Sequence, residues 1–429
     1  MKAVTFSADL PTYLLTTIIG KINKKLYYSG ISCTRYTKDV IPPVLPGEDW
    51  VKLQTVYGGI CGSDLGLVFL HDSPLLSPFA SKKFIIGHEN LGEIVEIGKN
   101  VIGFKIGDRV VADDVLSCET RGLPLCPCCQ AGDYNLCHNF TEGKLSPGTI
   151  IGSCGDTGGS WGEYYVAHRS RIFKVPENVT DKEAILIDPL CSALHPVLRN
   201  FPNDNEKVLI IGAGIIGQLL TASLRAFGSK ANITVISRHS FQAELAEGYG
   251  ATQTVRDSRS GIPIEQMADI TGGKILKPIL GDDYLIGGFD RIFDCVGSAS
   301  SIKDSLRFIN SPGTLVVVGL VGKIKLDWTL FWLKEVTLRG IYGYAKDSIH
   351  YVESKTNIYK FRDMDKTVLS EGEYTRHHTY QIGLDIMTQK KLNLEQLVTH
   401  VFSLDKYKQA LKTASDKSSS HAVKVLLKP

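Results

Sequence analysis

A six-residue string, Gly212-Ala213-Gly214-Ile215-Ile216-Gly217, does most to limit the folds open to this 429-residue chain. It follows the apolar run VLII and leads into the amphipathic QLLTASL. A short apolar run ending in glycines reads as a buried parallel strand, and the periodic segment after it reads as a helix. In that setting the G-x-G-x-x-G spacing has a specific physical use. Gly212 permits a tight turn, and Gly214 lets the backbone approach a pyrophosphate. Gly217 lets helix and strand pack closely, and the helix start at Ile215 and Ile216 offers free N–H groups and positive potential.

The surrounding sequence repeats the same alternation. A helix is expected over DKEAILIDPLCSALHPVLRN, strands at NITVIS, FDRIFDCVG and GTLVVVGL, and helices at FQAELAEGYGA and SIKDSLRFIN, with GTLVVVGL closing the series. This predicts an α/β region with a doubly wound parallel sheet. Residues 48–170 differ. EDWVKLQTVYGG, NLGEIVEIG, DRVVAD and GGSWGEYYVAH are rich in Val, Ile and Tyr and punctuated by Gly, which predicts a β-rich region. Residues 346–377 read as a loop-rich insertion, HTYQIGLDIMTQKKLNLEQL as a helix and AVKVLLKP as a final strand. The stretch 10–47 is left without an assignment.

An acidic residue about 20 positions beyond the glycine loop would bind an adenosine ribose hydroxyl. That place is held by Ser237, followed by Arg238 and His239. A hydroxyl beside a guanidinium suits a 2′-phosphate, so NADP(H) is favoured and NAD(H) is the alternative. The net charge of +3 does not point to nucleic acid or a membrane as the main partner. No run of about 18 apolar residues occurs, and no signal peptide is expected. Five of ten cysteines fall in residues 118–137, a clustering that favours metal over disulfides and a cytoplasmic setting.

Cys61 lies in GGICGSD, His88 and Glu89 in IIGHEN, and Asp188 and Cys191 in LIDPLCSALH. None is a strong signal singly. In this order, ahead of a dinucleotide fold, they are much more specific. With the cysteine-rich lobe, GGSWGEYYVAH, LRGIYGY and LVTHVFSLDKYKQAL, the chain resembles the zinc-dependent medium-chain dehydrogenases of alcohols, sorbitol, threonine and sugars over nearly its whole length.

The resemblance implies a GroES-like catalytic domain, residues 1–186 and 346–429, and a Rossmann domain, residues 187–345. Cys61 and His88 stand where the family has catalytic zinc ligands, and Glu89 stands where the polyol branch has a coordinating carboxylate. Asp188 matches that branch's second carboxylate near the metal, and Cys191 competes with it as the third ligand. A Cys/His/carboxylate site is favoured. Zinc there would polarise a substrate hydroxyl while its carbon gives a hydride to the nicotinamide. Ser63 matches the hydroxyl that relays the substrate proton, and Asp64 is expected to orient the loop.

In the lobe, Cys126, Cys129 and Cys137 keep the family's spacing, but Leu123 stands where its first ligand would fall. Cys118, upstream, is expected to complete a structural four-cysteine zinc site, with Cys128 as the other candidate. The implied activity is oxidation of a polyol, sugar or amino alcohol, or reduction of the matching carbonyl, by a homodimer or homotetramer. The alternatives are a dehydrogenase of simpler alcohols with NAD, a zinc-free reductase, which the ligand set opposes, and a non-catalytic NADP(H)-binding protein.

Overall fold

A computed structural model describes residues 1–258, 261–348, 376–390 and 392–429. Two compact units emerge: Met1–Asp188 with Tyr380–Pro429, and Pro189–Thr379. The expected crossings were near 186 and 345, so the second falls later in the chain. The reason is local. Lys346–Asp347 pairs antiparallel with His377–His378, and buried Asp347 accepts from His195 Nδ1 at 2.7 Å and Arg199 Nε at 2.8 Å. Those contacts hold both ends of the insertion in the second unit. Its interior, 349–375, lies outside the described residues.

The first unit is β-rich, as expected. A sheet runs in the order Val398–Ser403, Lys424–Lys428, Trp50–Gly59, Asn90–Ile97, Arg109–Ala112, Ile172–Lys174, with Tyr164–His168 also paired to Trp50–Gly59. Along Trp50–Gly59, Val51, Leu53 and Thr55 are buried while Lys52 and Gln54 turn outward, the period-two signature of a strand with one face on a core. Residues 10–47, unassigned from sequence, contain helix α1 (Leu10–Ile22), a 3₁₀ turn (Lys24–Tyr28) and the strand Thr34–Thr37. That strand joins Ala3–Ser7 and Lys83–Ile85 in a three-stranded antiparallel sheet.

The second unit carries six parallel strands in the order Gln253–Arg256, Asn232–Ser237, Lys207–Ile211, Phe289–Asp294, Ile309–Val317, Thr337–Gly340. Lys207–Ile211 is apolar on both faces because helices cover both sides of such a sheet. The strand order reverses between Lys207–Ile211 and Phe289–Asp294, the position at which doubly wound sheets bind ligands. Thr337–Gly340 extends the sheet beyond GTLVVVGL, so that segment does not close the series. The helix expected from His378 to Leu397 stops at Thr388, and Lys390 takes a positive φ of 54°. No described helix is long and apolar enough to cross a membrane.

Candidate functional site

Antiparallel register brings the first cluster together. Gly58 pairs with Asn90, and Gly59 N donates to Glu89 O at 3.1 Å, so the turn carrying Cys61 lies beside His88 and Glu89. A Cβ on Gly59 would lie 1.9 Å from Glu89 Oε2, so only glycine leaves room for that carboxylate. Cys61 precedes helix α2 (Gly62–Val68), and its N–H donates to Asp64 Oδ2 at 2.8 Å. The other carboxylate oxygen of Asp64 lies 3.3 Å from His88 Nδ1. Asp64 thus fixes the Cys61 turn through its backbone and orients the His88 ring, leaving His88 Nε2 for a metal. Ser63, on the first turn of α2, is half-buried.

The ligand atoms of Cys61, His88 and Glu89 lie within 4.8 Å of one another. A thiolate, an imidazole and a carboxylate make a donor set suited to zinc, with a fourth position open to water or substrate. Neither Asp188 nor Cys191 is in this group among the described residues. Asp188 accepts from Tyr380 Oη at 3.3 Å, and its charge acts on Glu89 from outside the group. Cys191 is fully buried farther along the helix Ile187–Arg199.

One participant has no sequence signal. Lys424 Nζ lies 2.6 Å from both oxygens of Glu89, and both side chains are about 1% exposed. The final strand puts it there, since Leu426 pairs with Gly59 and Ile60 N donates to Val425 O. Burial opposes the charge on Lys424, but Glu89 outweighs it and lifts the lysine above its ordinary pKa. Burial also opposes an imidazolium at His88, yet Asp64 and Cys61 hold it well above the usual histidine value. A metal entering this group therefore displaces a proton that Asp64 stabilises.

The second cluster contains Cys118, Cys126, Cys129 and Cys137, with sulfurs within 4.8 Å of one another. Cys118 folds back because a turn from Cys118 O to Leu123 N, at 3.0 Å, closes the longer loop, and Leu123 packs beside Gly143. Donors point at the sulfurs: Cys126 N and Asn139 Nδ2 at Cys118, His138 N at Cys126 and Asn139 N at Cys137. Burial raises Cys126, but N–H groups from His138 and Cys129 and neighbouring thiols bring it down to about 6. Burial and the Cys118 thiol push Cys137 up to about 11. Four sulfurs this close together, with backbone and amide donors turned toward them, form a donor set that a divalent cation would hold together, which fits a closed structural zinc site. Cys128 stands apart, 3.3 Å from His138 Nε2, and none of the ten cysteines is in a disulfide.

Sequence reading also missed Arg121. Fully buried, it donates to the carbonyls of Leu116, Glu142, Leu145, Ser146 and Gly148 and gathers the lobe around one guanidinium.

In the second unit, Gly212 through Gly217 join the strand Lys207–Ile211 to the helix Ile215–Ala226, beside the reversal of strand order. Gly212 has φ +101°, and a Cβ there would meet Val296 Cγ2 at 2.6 Å. A Cβ on Gly217 would lie 1.9 Å from Gly212 O. The loop thus has the close-approach glycines that a pyrophosphate cradle needs, with Gly214 as the residue before the helix. Ser237 is buried at its strand end. Arg238, 70% exposed, donates from Nε to Asp257 Oδ2 at 2.8 Å, so a carboxylate outside the expected position engages it.

Two family models match: an alcohol dehydrogenase GroES-like domain over residues 47–177 and a zinc-binding dehydrogenase over residues 216–355. The chain is 28% identical to L-threonine 3-dehydrogenase of Paraburkholderia phymatum, over 90% of this chain and 92% of that one. It is 26% identical to sorbitol dehydrogenase of Halalkalibacterium halodurans, over 90% and 94%. The solved 2R,3R-butanediol dehydrogenase of Bacillus subtilis shares its fold, with TM-score 0.68 at 23% identity, over 100% of this chain and 99% of that one. With two adjacent dehydrogenase models matched in order, a doubly wound sheet carrying a glycine loop and a largely buried Cys/His/Glu group, this chain belongs to the zinc-dependent medium-chain dehydrogenase family.

Proposed function

We propose that this protein transfers a hydride between a secondary alcohol, of the polyol, sugar or amino-alcohol class, and NADP(H). The observation that carries the substrate class is the composition of the buried group. Glu89 joins Cys61 and His88, and Cys191 stays outside it. A carboxylate in place of a second thiolate makes a harder site, suited to substrates with a neighbouring hydroxyl or amine. The names of the threonine and sorbitol dehydrogenase relatives point the same way.

Zinc held by Cys61, His88 and Glu89 would supply Lewis acidity to the substrate hydroxyl. Asp64 fixes His88 and the Cys61 turn, Lys424 balances the charge of Glu89, and Ser63 carries the departing proton outward. Asp188 sets the local charge around Glu89. Gly212, Gly214, Ile215, Ile216 and Gly217 bind the pyrophosphate, with Ser237 and Arg238 at the adenosine ribose. Zinc on Cys118, Cys126, Cys129 and Cys137 supports the lobe. A second copy of the chain pairs along the edge strand Thr337–Gly340, near exposed Trp328, Trp332, Leu333 and Leu338.

The test is a coupled screen of polyols, sugars and amino alcohols with NADP⁺ and NAD⁺ on protein carrying two zinc ions per chain. Turnover of long-chain primary alcohols alone would sink the substrate class. The Arg238–Asp257 ion pair favours a second reading, in which NAD is the cofactor. Under the first reading, Arg238→Ala shifts the kcat/KM ratio toward NAD by about ten-fold, the loss of one charged contact. An unchanged ratio supports the second.

A further inference from the structure

Helix α1 is built inside-out. Its buried residues are Thr16 and Gly20, packed against Cys33 N and the Tyr27 ring. Its large aliphatic residues face away from the protein: Leu10, Leu14, Leu15, Ile18 and Ile22 are 68%, 53%, 42%, 62% and 79% exposed. At 100° per residue these five fall within one arc of about 140°. Ala8 N donates to Lys82 O, so the helix starts beside the segment that follows the exposed Leu75, Leu76 and Phe79. Scattered exposed apolar residues are ordinary, but a contiguous helical face marks a surface that something covers.

The charge around α1 identifies the cover. Residues 9–39 hold five cations, Lys21, Lys24, Lys25, Arg35 and Lys38, against two carboxylates, Asp9 at the start of α1 and Asp39. Just past α1, Lys25 lines an open groove of about 390 Å³ with Tyr28, Ser29, Lys408, Gln409 and Lys412. Lys408 and Lys412 are one helical turn apart on Tyr407–Ser415, and no carboxylate lines the groove. A second copy meeting this face across a two-fold axis would set lysine against lysine. Lys21 falls within that arc, Lys24 and Lys25 follow the helix directly, and an exposed aliphatic helical face that carries lysines at its end can lie in a lipid interface.

We propose that α1 and the Lys25/Lys408/Lys412 groove dock this protein onto an anionic lipid surface. The aliphatic face enters the acyl boundary, and the lysines take the headgroup phosphates. The small net charge of the whole chain hides this local excess.

The 429-residue chain is sedimented with phosphatidylcholine vesicles, with and without anionic phosphatidylglycerol, at low and high salt. Each lysine near an anionic surface is worth roughly five-fold in affinity. Lys25→Glu/Lys408→Glu/Lys412→Glu is therefore expected to weaken binding about a hundred-fold. Leu14→Ser/Ile18→Ser is expected to lose at least ten-fold, and neutral vesicles or high salt should abolish binding. All five positions are exposed, and unchanged zinc content and circular dichroism confirm that the variants fold. No binding of the unmodified chain to anionic vesicles, or equal binding by either variant, overturns the proposal. So does a drop in oligomeric mass for Leu14→Ser/Ile18→Ser with vesicle binding intact, which assigns the face to a second copy.

Discussion

Replacing Lys424 by Met removes a cation and little volume, and takes away both contacts to Glu89 together with a longer one to Ile60 O at 3.3 Å. Lys424 supplies two charged hydrogen bonds at 2.6 Å to a carboxylate that has almost no access to water. Charged hydrogen bonds are worth about 1.5–3 kcal/mol each, and breaking a buried pair by removing one partner costs about 3–5 kcal/mol. The two figures agree, so Lys424→Met should lose about 3–5 kcal/mol in chelator-treated protein. Urea unfolding followed by tryptophan emission is the assay. Trp161 is suited to it because it is fully buried and its indole N–H donates to Gly59 O, beside Glu89. Zinc-loaded protein should lose less, because zinc gives Glu89 a second cation. The double variant Glu89→Gln/Lys424→Met should be more stable than the sum of the single losses predicts, by about 2 kcal/mol or more. A Lys424→Met loss below about 1 kcal/mol, or strictly additive losses, would refute the account of Glu89 as a carboxylate held by Lys424.

Three further outcomes are expected. Cys118→Ser should leave one zinc per chain by elemental analysis, whereas Cys128→Ser should leave two, because only Cys118 joins the other three sulfurs. Zinc affinity at the Cys61 group should fall as pH is lowered, since Asp64 and Cys61 favour a proton on His88 that the metal must displace; titration with a competing chelator at several pH values measures it. Asp347→Asn should destabilise the second unit by about 2–4 kcal/mol at pH 7, read by urea unfolding. Burial raises the Asp347 pKa, but His195 and Arg199 bring it below the ordinary value. Its contribution is therefore complete above about pH 4 and lost as pH falls through the depressed value, so variant and parent should converge in acid.

The parts of the fold that sequence made legible are those with short-range periodicity. Lys207–Ile211, Asn232–Ser237 and Phe289–Asp294 are apolar runs of strand length, and each lies where the pattern places it. Thr337–Gly340 was missed because it is an exposed edge strand with little apolar signal. Helix α1 was missed for the opposite reason. Its four-residue apolar spacing is present, but that face is largely exposed, and the side toward the core is Tyr13, Thr16 and Gly20. The insertion after Asp347 gave no period either, and only its paired ends show which unit holds it.

The sequence by itself determined the alternating α/β unit and the glycine loop, because each rests on local spacing, while the candidate ligands of both cysteine-containing groups came from the family resemblance. Tertiary structure alone decided which of those residues meet. Glu89 and Lys424 are 335 positions apart and touch because the last strand pairs beside Gly59. Cys118 replaces the ligand missing at Leu123 because a turn folds its longer loop back onto the other sulfurs. Asp188 and Cys191, close in sequence to the expected ligand position, are left outside the group. Strand register and loop closure make these choices, since a shift of one residue turns every side chain to the other face of a sheet. Local spacing carries no record of which distant strand will be the neighbour.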